Sequence, residues 1–408
     1  MTSPEIIERL LSEQVNQMNM MKFLTVVLSL ILASSVMAEQ ILSPYEYLDT
    51  TGARELTPFT INNEYFIAVA QLARDIPGTP PNMNGGDADV DVLIYKINHG
   101  KHVIHQRIPG HGNESTAFFT IGNDAYLAVA SVHSGPKAPF NHHTYSMLYK
   151  WDGQFFYPVQ QFYSYAAKQW HFFSIGTRHF LALAEGVKLP DGEQKPEESN
   201  SIIYEWNGER FQPFQKISSQ WGYSFQFFRL NGENYLAYAD HLKQSTLYRW
   251  DGAQFKEYQV FPGDGGRSFE AFTIGNKHYL AYANIKSDSI IYQWNGKQFE
   301  TYQALQGAGG RNFTYFTLDG KHYLLRVNFI TGDRTNPKSA LQSPLYKWMN
   351  NQFEPIQNIP SFGGVSAHVY RYDDSFYMTF ANSLSADLRF KVRSVIYKIS
   401  QAPVLEYG

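Results

Sequence analysis

Seven residues spread along the chain carry the chemistry most worth following: Arg54, Glu114, Lys168, Tyr223, Arg267, Arg311 and Val365. Each stands five positions ahead of an aromatic residue (Phe59, Phe119, Phe173, Phe228, Phe272, Phe316, Tyr370), and four of the seven are basic. Cations brought together in this way would fix an anionic group, because arginine offers planar, bidentate donors. Beside them lie Trp170, His171 and Trp221, outside the regular tryptophan positions, with rings that would stack on a sugar or an aromatic side chain. Gly265-Gly266 and Gly309-Gly310 precede two of the arginines. The structural alternative is that each base pairs with a carboxylate of a neighbouring repeat or caps carbonyls at strand ends.

Other candidate chemistry is thinner. Asp87-Ala-Asp89-Val-Asp91, after Gly85-Gly86, alternates oxygen ligands as a calcium loop does but lacks the later bidentate glutamate. Charges flanking an exposed loop account for it more simply. His142-His143 and the remaining histidines show no metal spacing, and no nucleophile elbow, phosphate-binding loop or dinucleotide fingerprint occurs. The absence of cysteine excludes disulfides, thiolate metal sites and cysteine nucleophiles. No cofactor or metal is therefore assigned. A pair of carboxylates from distant repeats, as glycoside hydrolysis requires, stays open.

What positions these residues is a repeat. Seven positions after each first aromatic comes a second: Phe66, Tyr126, Phe180, Tyr235, Tyr279, Tyr323 and Tyr377. A third column reads Tyr95, Tyr149, Tyr204, Tyr248, Tyr292, Tyr346 and Tyr397, with Trp151, Trp206, Trp250, Trp294 and Trp348 two places on and Ile97 and Ile399 in the terminal copies. Such periodicity decides the architecture before any local motif does. In the copy around Phe272, the runs Ser268–Ile274, Tyr279–Ala283, Ser289–Trp294 and Phe299–Leu305 read as strands. Pairs such as Asp152-Gly153 and Asn295-Gly296 predict type I′ hairpins. Four-stranded units that cannot bury both faces alone close into a ring, so the expected fold is all-β, a seven-bladed propeller of four-stranded antiparallel blades. The seven residues of this column would then ring the channel mouth. Variable loops at 71–91, 131–145, 185–200, 328–343 and 382–392 would share that face.

The segment Tyr45–Arg54 reads as a fourth strand displaced to the N-terminus, completing blade seven, with Pro403–Tyr407 competing for that place. Residues 22–38, basic then apolar then small, read as a secretory leader cleaved near Ala38, with translation expected to begin at Met20 or Met21. The domain division is then 1–38, extension and leader, and 39–408, one propeller. The apolar run is shorter than a membrane span requires, so no stable membrane insertion is expected. A net charge of −3 with interspersed signs offers no basic field for nucleic acid. The aromatic fraction of 16% falls mostly in the repeat columns and reads as blade packing.

The cassette Phe-x-Ile-Gly-x-x-x-Tyr-Leu-Ala-x-Ala followed by Ser-x-Ile-Tyr-x-Trp-x-Gly-x-x-Phe, recurring at 44 to 60 residues over 43 to about 400, resembles the epilepsy-associated, or epitempin, repeat. Similar repeats occur in the leucine-rich glioma-inactivated proteins. The resemblance implies a propeller that works outside the cell by binding other proteins. This chain departs from those relatives in having neither leucine-rich repeats nor cysteine, so only blade positions transfer. The expectation is a monomeric, non-catalytic module, secreted, periplasmic or at the cell surface, that binds an extracellular protein or glycan. A propeller hydrolase or lyase acting on extracellular polysaccharide is the alternative. Carboxylates or a His/Tyr/Arg group converging in the channel would favour the enzyme, and an aromatic rim would favour a partner.

Overall fold

Alternating β-branched and aromatic residues pair into seven four-stranded antiparallel sheets in the computed structural model, which describes residues 40–188, 199–333 and 335–400. In blade five the strands are Gly266–Ile274, Lys277–Asn284, Ser289–Trp294 and Phe299–Leu305. The first strands of successive blades touch one another around a closed circle, so they line an axis and the fourth strands form the rim. Leu42–Ser400 form one compact unit, a seven-bladed propeller. Among the described residues no helix is long and apolar enough to cross a membrane.

Blade seven closes the ring with both ends of the chain. Leu42–Leu48 pairs antiparallel with Ser394–Ile399, ahead of Ser375–Asn382 and Gly364–Tyr372. The displaced fourth strand is thus N-terminal, and it ends at Leu48 because blade one begins at Ala53. The leader at 22–38 and the tail at 401–408 lie outside the described residues.

One turn expectation is corrected. Asp152-Gly153, Asn207-Gly208, Asp251-Gly252 and Asn295-Gly296 take positive φ only at glycine and open four-residue turns, not type I′ hairpins. The Asp or Asn side chain accepts two backbone N–H groups, as Asn295 Oδ1 does from Lys297 and Gln298, and this acceptor role explains the residue choice. Type I′ geometry occurs instead between first and second strands, for example at Asn62-Asn63 and Asn231-Gly232, where both φ values are positive.

The aromatic columns pack blade on blade. Phe59 stacks on Phe118 at 4.4 Å, Phe119 on Phe172 at 4.1 Å and Phe173 on Phe227 at 4.7 Å. Each of those first-column rings also meets edge-on the phenylalanine that opens the next blade's fourth strand (Phe156, Phe211, Phe255). At the rim, a glutamine four residues after the fourth-strand aromatic clamps the next blade. Gln303 Nε2 donates to the Phe353 carbonyl and its Oε1 accepts the Phe353 N–H, and Gln106, Gln160, Gln215, Gln259 and Gln357 repeat the device. At the seam between blades seven and one, a Glu46–His102 pair at 2.9 Å stands in its place.

Replacing Gln303 with Leu leaves both polar groups of the buried Phe353 backbone unpaired. Urea unfolding should show a loss of roughly 1–3 kcal/mol.

Candidate functional site

The residues that break the repeat are aimed by backbone irregularities. In six blades the register of the first strand slips as it enters the sheet: between Ala53 and Glu55, Asn113 and Ser115, Gly222 and Ser224, Gly266 and Ser268, Gly310 and Asn312, and Gly364 and Ala367. The skipped residue is Arg54, Glu114, Tyr223, Arg267 or Arg311, with Val365 and Ser366 both skipped in blade seven. A β-bulge of this kind re-aims one side chain out of the ladder. Lys168 precedes its strand and donates its N–H to Ala184 O at 2.8 Å. In four blades the residue ahead of the bulge is glycine, and at Gly266 the previous blade closes on it: a Cβ there would lie 2.4 Å from Ser245 Oγ.

All seven line one axial cavity of about 490 Å³. Glu114, 3% exposed, is its hub, with Arg311 Nη2 at 3.0 Å, Arg54 Nε at 3.4 Å and Lys168 Nζ at 3.7 Å. Tyr223 is the second hub: the Arg267 guanidinium sits 3.7 Å from its ring centroid, that of Arg311 4.7 Å, and the Lys168 ammonium 5.6 Å. Arg54 also lies over Phe329 at 5.3 Å. Three cations therefore share one carboxylate, and the fourth, Arg267, pairs with none among the described residues.

That imbalance sets the titration behaviour. Burial alone would raise the Glu114 carboxyl, but Lys168, Arg54 and Arg311 together pull it down to about 2. Burial is the main reason the Lys168 ammonium falls to about 8; Glu114 opposes this, and Arg54, Arg311 and Arg267 add to it. Arg267 is 8% exposed, with no salt-bridge partner among the described residues and a buried, unpartnered Nε. Burial and then Arg311 work against its charge, yet a guanidinium stays protonated. Arg267 therefore carries a buried positive charge that no carboxylate among the described residues pairs with.

Two sequence candidates are corrected to scaffold. Trp170 is 2% exposed in the core between blades two and three, edge-on to Phe162 at 4.9 Å, and offers no free face for stacking. Burial holds the His171 imidazole down at about 4, and its Nε2 accepts the Phe227 N–H at 2.9 Å. Trp221 does reach the mouth, half-buried, stacked near Tyr223 at 5.9 Å and edge-on to His241 at 4.9 Å. The three aspartates diverge: Asp87 binds Arg74 at 2.6 Å, Asp89 binds His111 at 2.7 Å, and Asp91 faces Arg107 at 3.9 Å. No metal-ligating group occurs among the described residues.

Further carboxylates and imidazoles line the same cavity, and they are engaged. Glu55 accepts the Thr116 N–H and meets His368 Nε2 at 3.0 Å, while Glu270 accepts the Tyr315 N–H and is raised to about 7 by burial. Two features escaped the sequence reading: this layer of polar residues one and three places after the bulge, and aromatic residues outside the columns of blade two (Tyr145, Tyr163, Tyr165). Their signal was available as departures from the column pattern.

A family model described as the EPTP domain matches residues 42–81, 103–152, 156–207, 210–251, 254–295 and 352–400. Two curated relatives are similar to part of the chain. The thrombospondin-type laminin G domain and EAR repeat-containing protein of Homo sapiens is 30% identical over 151 residues, 36% of this chain and 21% of that protein. The protein of the same name from Mus musculus is 28% identical over 169 residues, 40% of this chain and 24% of that protein. The alignments thus span about a fifth to a quarter of the relatives' length.

Glu114→Gln removes the one carboxylate from among buried cations and should cost roughly 3–5 kcal/mol. Because the folded carboxyl sits at about 2 and the ordinary value is 4.5, its contribution is present above pH 4.5 and lost as pH falls toward 2. The melting-temperature gap between wild type and Glu114→Gln should therefore narrow over that window. Arg267→Gln, which relieves like-charge repulsion, should leave stability unchanged or slightly raised.

Proposed function

The chain belongs to the EPTP-domain family, and from that premise we propose that it is a non-catalytic binding module, secreted or exposed at the cell surface. It recognises an extracellular protein or glycan through the loop-rich face of the propeller, with an acidic group of the partner seated in the channel-mouth cup. The observation that carries this reading is Arg267, buried against Tyr223 without a counter-charge beside three other cations that share Glu114. A cation buried without a partner costs free energy that an incoming anion would offset. The planar guanidinium suits a carboxylate, a sulfate or a phosphate. The leader-like residues 22–38 support an exported setting.

The reading is non-catalytic because the channel carboxylates already have occupations. A glycosidase pair needs one acid and one base free to face a substrate. Glu114 is held ionised by three cations, and Glu55 and Glu270 serve backbone N–H groups of the next blade. Convergence in the channel is here the product of structural hydrogen bonding.

Titrating sulfate at constant ionic strength should raise the unfolding midpoint of wild type more than that of Arg267→Gln, the difference being the specific term. That difference should shrink as pH rises through about 8, where Lys168 loses its proton. An equal response in both proteins contradicts the site. New reducing ends released from an acidic polysaccharide contradict the non-catalytic reading.

A further inference from the structure

Among the described residues, blade two carries a feature that no other blade shares. Its outer hairpin, His143–Trp151 with Phe156–Tyr165, runs on toward the loop-rich face beyond the corresponding strands of blades four and five, Thr246–Trp250 and Ser289–Trp294. On this extension Tyr145 lies opposite Tyr163 and His143 opposite Tyr165. Successive rungs on one face of a strand are about 7 Å apart, so the four rings form a two-row platform. Tyr163 is 60% and Tyr145 49% exposed, a degree of exposure that blade packing does not account for. The rings are mutually ordered: Tyr145 meets Tyr163 edge-on at 5.6 Å, and Tyr163 stacks on His143 with its hydroxyl 2.7 Å from Nδ1.

The platform continues inward. His142 lies 6.0 Å from Tyr165, His133 lies 5.6 Å from His142, and Phe140 stacks on His133 at 4.1 Å. At this inner end the belt reaches the cup: Ala166, two residues before Lys168, donates its N–H to the His142 carbonyl at 3.0 Å. The other long outer hairpin, in blade six, shows that length alone does not produce the belt. At the same rungs it places Gln342 opposite Pro360 and Ala340 opposite Phe362.

We infer that this belt and the cationic cup together form one extended site for an acidic glycan, its sugar rings lying along the aromatic residues and one of its carboxylate or sulfate groups entering the cup. The inference rests on the binding reading above and names the class of ligand. The chemistry favours a sugar chain over a peptide. A peptide's apolar side chains seek concave apolar pockets, whereas the belt is a row of rings whose phenol and imidazole edges are polar. A sugar presents an apolar face to a ring and hydroxyls to such edges. The charge at one end only then selects acidic over neutral chains.

The test compares an oligouronate hexamer with a neutral hexasaccharide by titration calorimetry on wild type, Tyr145→Ala/Tyr163→Ala and Arg267→Gln. Wild type should prefer the oligouronate, and the double tyrosine variant should lose about tenfold in affinity for it. That variant should keep the wild-type response to sulfate, because its changes are on exposed rings away from the cup. Arg267→Gln should lose the preference for acid over neutral chain. Oligouronate binding unaffected by the tyrosine changes, no binding of it at all, or an acidic peptide that depends on the same tyrosines and binds more tightly would each overturn the inference. Failure of sulfate to act on wild type would instead overturn the cup.

Discussion

Each blade ends at the axis with an inner strand that has only one hydrogen-bonded neighbour, and the other edge of that strand must be satisfied without a fifth strand. The protein meets this constraint with side chains of the preceding blade. Ser115 Oγ accepts the Trp170 N–H, Gln169 Oε1 the Phe225 N–H, and Glu270 Oε1 the Tyr315 N–H; Ser224 Oγ donates to Arg267 O and Thr314 Oγ1 to Ala367 O. Ser366 Oγ, donating to Arg54 O, carries the series across the seam to blade one. Polar residues that look poised for chemistry are thus the mortar of the channel.

The same constraint explains where function has room. Residues after the bulge are committed to the next blade, whereas the side chain five places ahead of the first aromatic makes no such bond to the next blade's inner strand. Its identity is free to vary from arginine to valine at no cost to blade closure. Four of the seven positions are basic and one is acidic, which is why cations accumulate at the bulges.

Much of the fold was legible in the chain. The spacing of Phe272, Tyr279, Tyr292 and Phe299 fixes strand period, turn placement and repeat number, and the two outer strands read for that copy match the observed limits. The constant offset of Arg267 and Arg311 from the first aromatic correctly gathered them at one mouth. Legibility failed where a residue's role depends on a partner in another blade. Nothing near Trp170 distinguishes a stacking platform from a core residue, because Phe162 and Tyr204 bury it only after the blades pack. His171 likewise gained its backbone donor from the next blade. The glutamine column, though regular in sequence, bears no local sign that its partner lies about 50 residues ahead (Gln303 to Phe353).

The central claim is that the channel mouth holds surplus buried positive charge ready for an anion. Diffraction from crystals grown with bromide, recorded at the bromine absorption edge, tests it without reference to any partner. The account predicts an anomalous peak in contact with Arg267 and Lys168 beside the Tyr223 ring. Bromide found only on exposed lysines, with no peak in the channel mouth, would contradict it.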